Sequence, residues 1–140
     1  MAEGFMNHLH RDDFKAYSAG LNPSILDPLA VEVMREVGID ISRNLAKKVD
    51  DFRDQIFDYV VTVCESDAPE CPFLRGAKGN FHQSFGDPPK LAADVGPHFA
   101  KLVYYRQVRD EIKCFIESLP TRLVDSCLNS EKTNATNKNS

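Results

Sequence analysis

Asp58-Tyr59-Val60-Val61-Thr62-Val63 is a nearly unbroken β-branched and apolar run. A segment of this kind has the composition of a strand covered on both faces, as in a parallel sheet packed between helices. The flanking chain agrees. Asp27-Pro28 is a helix start, a carboxylate cap followed by proline at the first helical position. Leu29, Val33, Met34 and Val37 then form one apolar stripe, and Gly38 supplies the left-handed stop. Strands alternating with helices predict an α/β domain with a parallel sheet.

Other segments are weaker. Ala2 to Leu9 carries Phe5, Met6 and Leu9 at amphipathic helical spacing, with no capping residue ahead of it. Phe14 to Ser18 alternates as a short strand ended by Ala19-Gly20, and Ser42 to Phe52 reads as a second helical stretch. A polar loop follows from Cys64 to Gly79, then a short apolar piece, Phe81 to Phe85. Phe99, Leu102, Val103, Val108, Ile112, Phe115 and Ile116 keep helical spacing up to Pro120, where the helix is expected to end. Beyond Leu128 there is no large apolar residue, so an ordered domain over 1–120 is expected to precede a disordered tail over 121–140. Asn134-Ala135-Thr136 matches a glycosylation acceptor and is read as chance in a chain with no export signal. Only two strands are convincing, too few for a sheet covered on both faces.

With 140 residues, 42% of them apolar and 27% charged, the chain suits one self-sufficient domain. No run of 18 apolar residues is present and the N-terminus is not a secretory signal, so a cytoplasmic protein without membrane association is expected. A formal charge of −4 argues against nucleic acid as a partner. The four cysteines lack the spacing of a secreted framework and are read as free or redox-active thiols.

Cys64 follows the apolar strand directly and Cys71 lies seven residues on, in CESDAPEC. The carboxyl end of a parallel strand is where open α/β sheets place ligands. Two thiols there would pair if the loop brought their Cα atoms within about 7 Å, but on spacing alone two unconnected cysteines are the simpler reading. Cys64, Cys71 and His82 lack the close pair spacing of structural zinc. Cys114 and Cys127 read as structural or incidental. Asp87, in FGDPPK, is either a general acid on a loop or part of a plain turn.

Taken together, MAEGF, YSAGLNPS, AVEVMREVGIDIS, FDYVVTVC, the second cysteine before a proline, FGDPP and RQVRDEI resemble the thioredoxin-coupled arsenate reductases, in order from Met1 to about Ile116. That resemblance implies the three-layer low-molecular-weight phosphotyrosine phosphatase fold. It implies a relay in which a cysteine of a Cys-x5-Arg loop attacks arsenate, a second cysteine releases arsenite, and a third closes a disulfide that thioredoxin reduces. Cys64 matches the second cysteine, Cys71 the third, and Asp87 the aspartate that protonates the leaving oxygen. Glu3 and Ser18 match positions associated with a potassium ion in some members. A monomer with no tightly bound cofactor is expected.

The chain departs from the family at its front. MAEGF ordinarily follows the first strand and the Cys-x5-Arg loop, and neither precedes it here; none of the four cysteines has an arginine six positions on. The expectation is a chain lacking on the order of 15 to 20 residues of strand and loop, and inactive without them. Smaller departures are Gln83 after His82, where tryptophan is usual, and Asp27, where asparagine is common. The alternatives are a phosphatase acting on tyrosine phosphate and a non-catalytic redox or partner-binding remnant.

Overall fold

A computed structural model describes residues 1–21, 24–63, 74 and 76–136. In chain order come α1 (Ala2–Leu9), α2 (Pro28–Glu36), a 3₁₀ turn (Val49–Phe52), β1 (Phe57–Thr62), β2 (Gly76–His82), α3 (Pro88–Leu91) and α4 (His98–Thr136). The Asp27 carboxylate caps α2 by accepting from Leu29 N–H at 2.9 Å, with Pro28 in the first turn. Gly38 closes the helix with φ at 81°, a backbone region that a side chain would strain.

β1 and β2 form a parallel pair, in register from Tyr59↔Gly79 to Thr62↔His82 with an irregularity between Phe57 and Tyr59. Tyr59, Val61 and Phe81 pack on the main core from one face of this sheet. The expected parallel α/β arrangement is present, but β1 is only half-buried, because β2 is its one strand neighbour among the described residues. β2 begins well before the apolar piece at Phe81. Its first five residues include Gly76, Lys78, Gly79 and Asn80, poor strand formers that pairing with β1 holds extended.

Phe14–Ser18 is not a strand. The Asn7 side chain takes the place of a partner strand at Ala16, accepting from its N–H at 2.8 Å and donating to its carbonyl at 2.9 Å. The helix expected from Ser42 to Phe52 shrinks to the 3₁₀ turn. Just before it Gly20 pairs with Lys48 in an isolated parallel bridge, the Gly20 N–H reaching the Lys47 carbonyl and its own carbonyl receiving Val49 N–H. Those backbone groups are thereby withdrawn from any helix.

α4 is the hub, touching α1, α2, α3 and β2. Leu102, Tyr105, Val108, Ile112, Phe115 and Ile116 are buried along it, whereas Phe99 and Val103, expected on the same stripe, are exposed. The helix does not stop before Pro120 but continues to Thr136. Leu119 and Leu123, on either side of the proline, are both buried in the main core. Each such burial contributes about 1.5–3 kcal/mol, which offsets the ~3 kcal/mol cost of an interior proline. The packed body thus extends past residue 120, into the segment expected as tail. No helix among the described residues is long and apolar enough to cross a membrane.

Candidate active site

Both parallel strands end on one side of the sheet. β1 ends at Thr62, two residues ahead of Cys64 in sequence, and the Thr62 carbonyl receives Gln83 N–H at 2.9 Å beside the end of β2. The chain then runs through Gly86 to Asp87, which precedes α3. This is the edge at which parallel sheets present their chemistry. Cys64 and Cys71 themselves lie outside the described residues.

Asp87 starts α3, its carbonyl receiving Leu91 N–H at 3.0 Å, while its carboxylate is free of any capping bond. Lys90 Nζ lies 3.9 Å from Asp87 Oδ2, and the Asp87 side chain is 43% exposed. Pro88 and Pro89 fix the backbone after it, so the carboxylate is held on a short rigid turn and remains open to solvent.

Tyr105 stands behind this loop. Its hydroxyl donates to Asp27 Oδ2 at 2.5 Å, and its ring is buried against Val33, Ala92 and Leu102. Burial raises its pKa above the ordinary tyrosine value, and the hydrogen bond to Asp27 and the Asp27 and Asp87 charges add to the rise. Asp27 thus has two tasks, one oxygen capping α2 and the other fastening α4. Sequence reading found the cap and missed the tyrosine, whose signal was its position three residues from both Leu102 and Val108 on the buried stripe.

Glu3 and Ser18 are brought together. The Ser18 hydroxyl donates to Glu3 Oε2, although fifteen residues separate them in sequence. The third member is Lys47, whose ammonium lies 3.5 Å from the same oxygen. The Lys47 nitrogen also lies 5.9 Å from the ring centres of Tyr17 and Phe52. These residues do not fit a potassium ion. Two like unit charges ~4 Å apart repel by about 4 kcal/mol at an effective dielectric constant of 20, and the carboxylate already has its counter-charge. No group of three or more His, Cys, Asp or Glu side chains arranged to hold a metal occurs among the described residues.

Cys114 is an exposed free thiol at a shallow groove between the β2–α3 connection and α4. Among the described residues, Asp110 and Glu111 line that groove against one cation, Arg122, which disfavours an oxyanion there.

The chain is 36% identical over 122 residues to arsenate reductase 2 of Staphylococcus epidermidis, covering 87% of this chain and 86% of that one. It is 38% identical over 112 residues to an arsenate reductase of Halalkalibacterium halodurans, covering 80% and 78%. A solved arsenate reductase in the phosphate-binding state superposes with a TM-score of 0.67 at 27% identity, covering 87% of this chain and 86% of that one. An oxidized-state arsenate reductase gives the same values. The family profile of low molecular weight phosphotyrosine protein phosphatase matches residues 1–126, and with the α4-centred core and parallel strands it makes this chain a member of that family.

Proposed function

We propose that the protein serves arsenate reduction, supplying the second and third thiols of a cysteine relay and the aspartate that assists it. The observation that carries this reading is the similarity to proteins named arsenate reductase over 87% of the chain, a span that includes Cys64, Cys71 and Asp87. In the relay, a cysteine from a Cys-x5-Arg segment outside these 140 residues attacks arsenate, and Asp87 gives a proton to the departing oxygen. The Cys64 thiolate then attacks the sulfur of that cysteine. A disulfide forms and arsenite leaves with the two electrons that the thiols lose. The Cys71 thiolate attacks Cys64, leaving a Cys64–Cys71 disulfide and restoring the first thiol. A thioredoxin dithiol returns the pair to the reduced state at the cost of its own oxidation.

The 140 residues alone hold no Cys-x5-Arg and are expected not to turn over. The test is thioredoxin-coupled arsenate reduction by this chain, and by the same chain with a strand and Cys-x5-Arg loop joined ahead of Met1. No turnover in the first and turnover in the second, abolished by Cys71→Ser, is the expected result. Arsenate reduction by the 140 residues alone overturns the inactivity reading. The family's phosphatase name motivates a second reading, hydrolysis of tyrosine phosphate. Ester hydrolysis needs no thiol relay, so activity of the extended chain that survives Cys71→Ser favours that reading instead.

A further inference from the structure

The Glu3–Ser18 site already contains a cation belonging to the chain itself. Lys47 is not a loosely placed surface lysine. Its carbonyl receives Gly20 N–H at 3.0 Å, within the parallel bridge that ties residues 47–49 to the segment after Ser18. Its side chain is 29% exposed and that of Glu3 only 14%, so the pair is sheltered from solvent screening. The ring centres of Tyr17 and Phe52 are 6.0 Å apart, and each lies 5.9 Å from the ammonium, within reach of a cation–π attraction. A second cation, Lys15, lies 5.4 Å from the centre of the Tyr17 ring.

We propose that the Lys47 ammonium is the resident cation of the Glu3–Ser18 site, joining α1 to the segments around Ser18 and the 3₁₀ turn without a bound monovalent metal ion. The tethered charge supplies what a free ion would supply, the neutralisation of a mostly buried carboxylate, and it carries no entropy cost of capture from solution. The chain's stability is therefore indifferent to potassium. Replacing Lys47 by serine removes the ammonium and adds an oxygen beside Glu3 Oε2 and the Ser18 hydroxyl, leaving an oxygen-lined site open to potassium.

The test is thermal unfolding of the chain and of Lys47→Ser in potassium chloride and in lithium chloride of equal ionic strength. The wild-type midpoint is expected to be the same in both salts. Lys47→Ser is expected to melt about 3 °C lower in lithium chloride and to recover part of that loss in potassium chloride, with the recovery growing with the logarithm of concentration. A wild-type midpoint raised by potassium overturns the proposal without recourse to the variant. A variant that potassium fails to rescue, whether folded or not, overturns it too. Because unfolding needs neither arsenate nor the relay thiols, the result is independent of the proposed activity.

Discussion

The imidazole Nε2 of His10 lies 2.9 Å from the carbonyl oxygen of Ile116, the one acceptor in α4 that Pro120 leaves without its helical donor. Proline has no N–H, so its place in the helix frees the carbonyl four residues earlier. His10, at the C-terminal end of α1, donates to that oxygen across 106 positions of sequence. One side chain therefore satisfies a buried polar group and fastens the first helix to the last, and α4 passes the proline with its ladder mended from outside.

This pairing predicts a non-additive mutant cycle. His10→Ala is expected to cost about 1–2 kcal/mol, the value of a hydrogen bond whose loss strands a sheltered carbonyl. Pro120→Ala restores an N–H for Ile116 and makes His10 redundant, so His10→Ala in that background should cost much less. Denaturant unfolding of the four proteins measures the coupling. Equal costs in both backgrounds would mean that His10 acts through something other than this carbonyl.

Gly4 predicts a steric limit on α1. A Cβ there would sit 2.7 Å from Ile41 Cγ2 and 3.3 Å from Met34 Cε. Ile41 is β-branched and only 2% exposed, so its methyl cannot swing aside. Gly4→Ala gains about 1 kcal/mol of helix propensity but overpacks the core at about 1–3 kcal/mol. Net destabilisation is expected by denaturant midpoint. Gly86→Ala, facing the end of the half-exposed Leu91 side chain at 2.9 Å, should be milder.

How much of this was legible in sequence follows from where each interaction lies. The α2 cap and stop are written in adjacent residues, Asp27-Pro28 and Gly38, and β1 in an unbroken apolar run; both were readable. β2 was half hidden, because Gly79 and Asn80 are extended only by virtue of the neighbour they pair with. The end of α4 was misplaced, since proline is a strong local stop and its remedy, His10, lies at the other end of the chain. The approach of Glu3 to Ser18 came from resemblance, but Lys47 is a third partner that no local pattern announces. Cys64, Cys71 and Asp87 are joined by resemblance alone, and of these Asp87 is the one whose surroundings the structure describes.

Tyr105 predicts an alkaline limit. Its folded-state pKa is raised, chiefly by burial and then by the bond to Asp27. Its contribution is fully present below the ordinary tyrosine value of about 10 and is lost as pH rises from there through the folded value. Tyr105→Phe should lower stability at neutral pH by about 1 kcal/mol. The gap between wild type and variant should narrow above about pH 10. Denaturant titrations at neutral and alkaline pH follow that gap, and a constant gap would assign the wild-type loss to the other tyrosines.

Glu36 predicts the acid side. It is held between two arginines of α4. Arg106 binds both its oxygens, Nε at 2.9 Å to one and Nη2 at 2.7 Å to the other, and the nearly buried Arg109 donates from Nη1 at 2.9 Å while also reaching the Val33 carbonyl at 3.0 Å. The Arg106 hydrogen bond leads in lowering the Glu36 pKa, with Arg109 adding to the effect. A lowered carboxylate contributes stability above its unfolded value, and the contribution disappears as pH falls through the folded one. The Glu36 side chain is one-third exposed, so solvent screens the pair and the effect is modest. Glu36→Gln is expected to cost about 1–2 kcal/mol near pH 7, because Arg109 keeps Asp110 and the Val33 carbonyl but loses the charged acceptor at the end of α2. As pH falls below the ordinary glutamate value of about 4.3 and on through the lowered folded one, the wild-type carboxylate takes up its proton and the two proteins should converge. Unfolding midpoints across that range measure the convergence; a difference that persists undiminished in acid would place the loss in packing rather than in charge.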